Sequence, residues 1–146
     1  MSFSVKRAED SPGFLLWRLT NEWQRQQRQT LAQLGLTHVQ FVVLANLLWL
    51  SMHTKEPIMQ NQIAENANID KMMVSDVITT LIGKKFLKKT RHPSDGRAYQ
   101  LTLTPEGRAL TIVAIPAVEG VDKQFFQKNN VDLVQLTEIL NRKFKA

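Results

Sequence analysis

Cysteine is absent from the 146-residue chain. Its absence excludes disulfide bonds, a cysteine nucleophile, thiol-based redox sensing and cysteine-ligated zinc. The three histidines, at positions 38, 53 and 92, lie far apart and do not have the spacing of metal ligands. The sequence therefore predicts neither a metal ion nor another permanently bound cofactor.

Long hydrophobic runs are also missing. The densest apolar stretch, residues 41–50, contains Asn46 and is about half as long as the ~20 residues that a membrane-spanning helix requires. The first twelve residues are polar and lack the apolar core of a secretion signal. We therefore expect a cytoplasmic protein with no membrane partner.

Glycine and proline are scarce, with six and five residues, whereas 43% of the chain is hydrophobic and 22% is charged. This composition is typical of a globular protein and excludes a disordered or collagen-like chain. The length fits one domain over residues 1–146. A Ser/His/Asp arrangement and a glycine-rich phosphate loop are both lacking, so the sequence predicts that the protein is not an enzyme.

Positive charge is concentrated in one short segment. Between Lys84 and Arg97, six basic residues stand against Asp95 alone, and this segment carries most of the net charge of +6. Such a segment is typical of a surface that binds a phosphate backbone. The alternative is a solvated face that only keeps the protein soluble.

Hydrophobic spacing predicts a mainly helical chain, because most apolar residues recur at intervals of three or four. Gly35 is suited to end the first helix, and Thr37 with Gln40 forms a capping box at the start of the second helix. That second helix is apolar on most sides and should be buried centrally. The predicted helices after it cover residues 60–67, 71–85, 104–128 and 131–144, and Thr104 suits the N-cap of the third. Val113 should lie on the apolar side of that third helix. The residues of the last helix that should face inward are Leu133, Leu136, Ile139, Leu140 and Phe144.

A helix-turn-helix and a β-hairpin follow one another in the middle of the chain. Asn68 suits a left-handed turn and Asp70 suits an N-cap, so the helices over 60–67 and 71–85 should be joined tightly. Strand-like segments over 87–91 and 98–103 flank a loop that carries an Asp-Gly turn signal. This order predicts a basic hairpin directly after the helix-turn-helix.

The helix over 71–85 has two distinct faces. At 100° per residue, its core stripe consists of Val74, Val77, Ile78, Leu81 and Lys85. The opposite face is small and nearly neutral, and it consists of Met72, Met73, Ser75, Asp76, Thr79, Thr80 and Gly83. Such side chains suit the floor of a DNA groove. The alternative is an ordinary amphipathic helix with a neutral outer face.

Several short motifs resemble the multiple-antibiotic-resistance repressor (MarR) family. They are Leu36-Thr37-x-x-Gln40-Phe41-x-Val43-Leu44, Ile63-Ala64-Glu65, Asp95-Gly96-Arg97-Ala98 and Leu103-Thr104-x-x-Gly107. The resemblance implies a mainly α fold with a small β wing. It also implies a winged helix-turn-helix lobe over residues 36–104 and dimerisation helices over 12–35 and 105–146.

The same resemblance implies a sequence-specific transcriptional regulator, a repressor released by a small aromatic effector. It would bind a pseudo-palindromic operator in double-stranded DNA as a homodimer. The recognition helix would contact DNA through Lys71, Met72, Met73, Ser75, Asp76, Thr79 and Thr80. The wing would contact DNA through Lys88, Lys89, Arg91, His92, Ser94 and Arg97, while Asp95 and Gly96 would shape its tip.

Three alternatives remain open from the sequence. Asp76 either accepts a hydrogen bond from a cytosine amino group or repels phosphates and lowers affinity for all DNA. Trp17, Trp49 and His53 either line an effector pocket or make core and dimer contacts. The whole chain is either a DNA-binding regulator or a winged-helix module that binds only proteins.

Overall fold

The structure is a computed structural model that describes residues 1–145. In this part of the chain a short 3₁₀ turn precedes six α-helices and one two-stranded antiparallel sheet. The helices and strands are α1 (Pro12–Ala32), α2 (His38–His53), α3 (Gln60–Ala67), α4 (Lys71–Gly83), β1 (Leu87–Arg91), β2 (Tyr99–Leu103), α5 (Pro105–Lys128) and α6 (Leu133–Asn141). The predicted mainly α fold with a small β wing is confirmed.

The corner between α1 and α2 forms as the local sequence predicts. Gly35 has a φ of 71°, and the amide of Leu36 donates to the carbonyl of Leu31 over 3.1 Å. Thr37 and Gln40 exchange two hydrogen bonds of 3.1 and 3.2 Å between side chain and backbone. The capping box therefore starts α2 directly after the left-handed residue that ends α1.

Helix α2 is the centre of the core. It packs against α1, α3, α4, α5 and β2. Val43, Leu44 and Leu47 are almost completely buried. Burying a large aliphatic side chain contributes about 2 kcal/mol, so these residues of α2 stabilise the lobe.

The tight turn between α3 and α4 also follows the prediction. Asn68 adopts the left-handed conformation, with φ 52° and ψ 48°. One oxygen of Asp70 accepts hydrogen bonds from the amides of Met72 and Met73 at 2.9 and 3.2 Å. The first free amides of α4 are thus satisfied by the chain itself.

Helix α4 ends earlier than its apolar pattern predicts. The four apolar residues of its core stripe are buried, but the inclusion of Lys85 in that stripe is wrong. The helix ends at Gly83, and Lys85 is exposed with a φ of 66°. The amide of Phe86 donates to the carbonyl of Leu81 over 3.0 Å, so the chain reverses at Lys85 and enters the hairpin.

The wing strands pair in a single register, with Leu87 opposite Leu103 and Arg91 opposite Tyr99. The amide of Leu101 donates to the carbonyl of Ile58 over 2.8 Å, on the other edge of β2. Ile58 lies just before α3 and is buried. Its backbone therefore ties the wing to the helix-turn-helix, a contact that the sequence analysis missed.

The start of α5 is pressed against the turn between α4 and β1. The hydroxyl of Thr104 accepts from the amide of Gly107 at 3.0 Å and donates to the carbonyl of Lys85 at 2.7 Å. The amide of Thr104 donates to the carbonyl of Phe86. A Cβ atom on Gly107 would lie 2.0 Å from that carbonyl oxygen. The position therefore requires glycine because no side chain fits.

The terminal helices differ from the prediction in their burial. Leu133, Ile139, Leu140 and Phe144, predicted to face inward, are exposed, and α6 ends at Asn141. Val113 of α5, predicted on the apolar side, is 58% exposed. The prediction that these side chains are buried is therefore wrong within a single chain, because no surface of the described residues covers them.

A half-buried polar cluster joins α1, α2 and α5. Asp122 accepts hydrogen bonds from the indole of Trp23 at 2.7 Å and from the amide group of Gln27 at 2.8 Å. Gln27 is completely buried and also donates to the carbonyl of Val118. The Trp23 ring meets His38 edge-on at 5.1 Å. Burial lowers the pKa of His38 below its ordinary value, although nearby Asp122 acts in the opposite direction.

Replacement of Gly107 should test the contact between α5 and the wing joint. Gly107→Ala should lower the free energy of unfolding by about 2–3 kcal/mol, because the backbone at Phe86 must move. Gly120→Ala is the matched control, since the same helix has open space there and alanine favours helix by about 1 kcal/mol. Urea unfolding of both variants at one protein concentration measures the difference. Equal stability of the two variants would contradict the proposed packing.

Candidate nucleic-acid interface

The exposed face of α4 contains the side chains that the sequence assigns to DNA recognition. Met72 and Met73 are 78% and 51% exposed, which is an unusually large apolar surface for a helix that faces only solvent. Ser75 is half-buried. The remaining exposed members of this face are Lys71, Asp76, Thr79 and Thr80. The structure thus leaves six of the seven residues exposed and Ser75 half-buried.

The two threonines on this face already use their hydroxyl hydrogens within the helix. Thr79 donates to the carbonyl of Ser75 at 3.0 Å, and Thr80 donates to the carbonyl of Asp76 at 3.1 Å. A hydroxyl has only one hydrogen to donate. Each threonine therefore presents a methyl group and an acceptor oxygen to an incoming partner.

The tip of the wing is shaped by hydrogen bonds among its own residues. Asp95 accepts from the amide of Arg97 at 3.0 Å, and its carbonyl accepts from the amide of Ala98. The guanidinium of Arg91 donates to the carbonyl of Gly96 at 2.9 Å. Gly96 does not have a positive φ, so the Asp-Gly pair forms an Asp-stabilised turn within a longer loop.

His92 and Ser94 complete this tip. The amide of Ser94 donates to Nδ1 of His92 at 3.2 Å, and the amide of His92 donates to the carbonyl of Ala98 at 3.0 Å. His92 is half-buried and Ser94 is exposed. Both residues therefore stabilise the loop, and the Ser94 side chain is also accessible from outside.

The basic residues of the segment are not equivalent. Lys84 donates to the carbonyl of Gly35 at 3.0 Å and approaches Oε1 of Gln40 at 3.4 Å, so it links α4 to the corner between α1 and α2. The ammonium group of Lys89 lies 5.1 Å from the centre of the Tyr99 ring. All of these side chains are exposed, but within the described residues those of Lys85, Lys88 and Arg97 make no such hydrogen bond or ring contact. Counting charges in the sequence could not separate these roles.

The residues considered for an effector pocket are only partly brought together. The rings of Trp49 and His53 stack at 4.1 Å, and the carbonyl of Trp49 lies 2.7 Å from Nδ1 of His53. Trp49 borders an open, mainly apolar groove of about 350 Å³ between α2 and α5. Trp17 is not among the residues that line it. The groove is formed by Phe41, Ala45, Leu48, Trp49, Met52, Ile115, Val118 and Glu119.

The core interpretation of the two tryptophans is wrong, because Trp17 and Trp49 are 66% and 54% exposed. Trp17 and Trp49 are therefore left with two possible roles, a contact in the dimer or a contact with an effector. Over residues 1–145, no three metal-binding side chains come together. Over the same range, no helix combines the length and the apolar character needed to cross a membrane.

Comparison with known proteins identifies the family. An uncharacterized HTH-type transcriptional regulator, YdcH from Bacillus subtilis, is 41% identical over 116 residues, covering 80% of this chain and 78% of YdcH. The MarR family model matches residues 36–99. The chain belongs to the MarR family. This MarR-family chain is therefore a transcriptional regulator of the helix-turn-helix type.

Solved structures of MarR-family regulators share the whole fold. BpsR from Bordetella bronchiseptica, described with regulation of its DNA binding by 6-hydroxynicotinic acid, has a TM-score of 0.84 at 27% identity, covering 98% of this chain and 99% of BpsR. A mutant MarR from E. coli complexed with operator DNA has a TM-score of 0.79 at 20% identity. That match covers 98% of this chain and 100% of the E. coli protein. The likeness to the E. coli protein concerns the fold alone.

Proposed function

We propose that this MarR-family chain is a homodimeric repressor that binds duplex DNA through α4 and the wing. The observation that carries the proposal is the pairing of two surfaces joined by one short turn. One is the exposed, nearly neutral face of α4, and the other is the basic hairpin that begins at Leu87. A helix of this kind fits the major groove, and a basic hairpin beside it reaches the phosphates and the adjacent minor groove.

Within this proposal the wing residues have different roles. Lys88 and Arg97 are exposed and are assigned to DNA contact, with Arg97 at the minor groove. Arg91 holds the tip through Gly96 and contributes charge from its remaining nitrogens. Lys89 contributes charge from above the Tyr99 ring. Asp95 positions the amide of Arg97 and does not contact DNA itself.

The dimer part of the proposal is supported by apolar surface that one chain leaves uncovered. This surface lies on the terminal helices, in the regions 12–35 and 105–146 that we assign to dimerisation. From these regions, the core around α2 includes Leu31, Ala114 and Val118 as buried members. A second copy can cover the exposed residues, which include Leu15, Leu16, Trp17, Ile112, Val113, Ile139 and Leu140.

A small aromatic effector is proposed for the groove beside Trp49. The groove is bordered by α2 of the lobe and by α5 of the terminal region, so a bound molecule would contact both. The stacked ring of His53 fixes the orientation of Trp49. The regulation of BpsR by 6-hydroxynicotinic acid supports this class of effector. Trp17 is assigned to the dimer contact.

The competing function is a winged-helix module that binds only proteins. The concentration of exposed basic side chains on the hairpin favours DNA, because phosphate binding releases counterions and depends steeply on salt. Duplex binding whose affinity falls steeply between low and physiological salt distinguishes the regulator from the protein-binding module.

The dimer should be detectable in solution. Sedimentation at micromolar concentration should give about twice the chain mass of 16.7 kDa. Leu140→Glu should shift the protein toward monomer, because Leu140 is exposed and lines the apolar groove formed by α1, α5 and α6. Thr137→Glu, on an exposed position of the same helix, is the control and should remain dimeric. A clean monomer of the unmodified protein would contradict the proposal.

Two recognition helices should protect two half-sites. Footprinting on the genomic DNA around the protein's own gene should show protected segments about 34 Å apart, one turn of the double helix. The spacing follows from the two-fold symmetry expected of a homodimer. Protection of one isolated half-site would be inconsistent with paired lobes.

Two neighbouring lysines should differ in their effect on DNA binding. Lys88→Ala should weaken binding to all duplexes nearly equally and lower the salt slope, the dependence of log affinity on log salt, by about 0.9. Lys84→Ala should leave that slope almost unchanged, because Lys84 is bonded to Gly35 and Gln40. Titration of a fluorescent duplex at several salt concentrations measures both slopes. The assignment fails when Lys84→Ala changes the slope as much as Lys88→Ala.

A further inference from the structure

The exposed face of α4 is poor in hydrogen-bond donors. Arginine, asparagine, glutamine and histidine do not occur between Lys71 and Gly83. Lys71 and Ser75 are the members of the face whose side chains have hydrogens free to donate, because Thr79 and Thr80 bond to their own helix. What the face offers instead is methyl groups, thioethers and one carboxylate.

The start of the helix adds no donors. The amides of Met72 and Met73 are already bonded to the carboxylate of Asp70. That carboxylate also places a negative charge where a phosphate or a guanine acceptor would otherwise approach. Readout by this helix must therefore come from its side-chain face.

Base edges in the major groove differ in what they demand. Guanine presents two acceptors, which arginine or lysine satisfies, and adenine presents an acceptor beside an amino group, which asparagine or glutamine satisfies. Thymine presents a methyl group, and cytosine presents an amino group that a carboxylate can accept from. Adenine has no bidentate partner on α4, and the one group that suits guanine, the ammonium of Lys71, stands at the first residue of the helix. The remaining groups match the two pyrimidines.

Three of these residues lie in one row along the helix. Met72, Asp76 and Thr79 are separated by four and three positions, so they lie on the same face. Seven residues of helix span about 10 Å, which corresponds to about three base-pair steps of 3.4 Å. Asp76 stands between the two methyl-bearing side chains.

We propose that α4 reads pyrimidines, with one cytosine amino group bound by Asp76 between thymine methyl groups that contact Met72 and Thr79. Met73 and Thr80 border the row and extend its apolar surface. Each half-site then contains a C·G pair flanked by T·A pairs within about three base pairs on either side. This inference rests on the proposed DNA-binding function and specifies the sequences that the function selects.

Selection from a pool of random duplexes with the full-length protein tests the inference first. The recovered half-sites should share a C·G pair flanked by T·A pairs. The best duplex is then resynthesised with deoxyuridine in place of each thymine, which removes only the methyl group. Each substitution in the flanking pairs should weaken binding by about fourfold, the value expected for one buried methyl group. Unchanged affinity for every uridine duplex would overturn the thymine assignment.

A matched pair of variants separates the methyl group from the hydroxyl group at position 79. Thr79→Ser removes the methyl group and should abolish the effect of uridine at one base pair. Thr79→Val keeps the methyl group, removes the hydroxyl and should retain that effect. Lys88→Ala is the control on the wing, and it should weaken thymine and uridine duplexes equally. Equal behaviour of the serine and valine variants would overturn the role of the Thr79 methyl group.

Asp76 is tested on the same selected duplex and on its variants at the C·G pair. Asp76→Ala should reduce the preference for that pair about tenfold while affinity for random DNA changes little. Equal tightening of binding to all duplexes would show that Asp76 only repels phosphates, and that part of the inference would fail. If the protein binds no duplex at all, the proposed function fails instead, so the two failures are distinguishable.

Discussion

The backbone of Phe86 joins α4, the wing and α5. Its amide ends α4 through Leu81, and its carbonyl accepts from Thr104 where α5 begins. The wing starts at the next residue, Leu87. Gly107 lets α5 approach this carbonyl to a distance that a side chain would prevent. The relative placement of α4, the wing and α5 is therefore set by backbone contacts rather than by charge.

Much of the fold was predictable because its decisive signals are local. The caps at Thr37, Asp70 and Thr104 and the left-handed residues Gly35 and Asn68 depend on neighbours within a few positions, and the structure confirms each of them. Such short-range signals specify where helices start and stop regardless of the rest of the molecule. They were sufficient to predict the helix-turn-helix before any tertiary contact was known.

The errors arose where burial depends on distant or external surfaces. Periodicity placed Lys85 in the core stripe of α4, but the chain had to reverse there so that Leu87 could enter the core. The apolar residues of α6 and Val113 of α5 were expected inside, although nothing in the described part of one chain covers them. A hydrophobic pattern indicates that a face is to be buried, and it does not identify what buries it.

The candidate site shows the same limit in its charges. The residues of the recognition face follow from helix geometry alone, and the structure places them together on one side of α4. The difference in role between Lys84 and Lys88 did not follow from the sequence, because Lys84 bonds to Gly35, which lies far away along the chain. The hydrogen bond from Arg91 to the carbonyl of Gly96 could not be predicted from the sequence either. Fine assignment within a basic segment requires the hydrogen bonds that each side chain already makes.

Helix α5 is a long helix that connects the wing joint to the terminal region. It runs for 24 residues, from Pro105 beside the wing joint through Pro116 to Lys128, a length of about 36 Å. A rotation of about 5° at one end of such a rod displaces the other end by about 3 Å, close to the 3.4 Å rise of one base pair. Under the proposed DNA-binding function, a small tilt between the terminal helices would shift the lobe by about one base step, enough to move α4 out of register with its half-site.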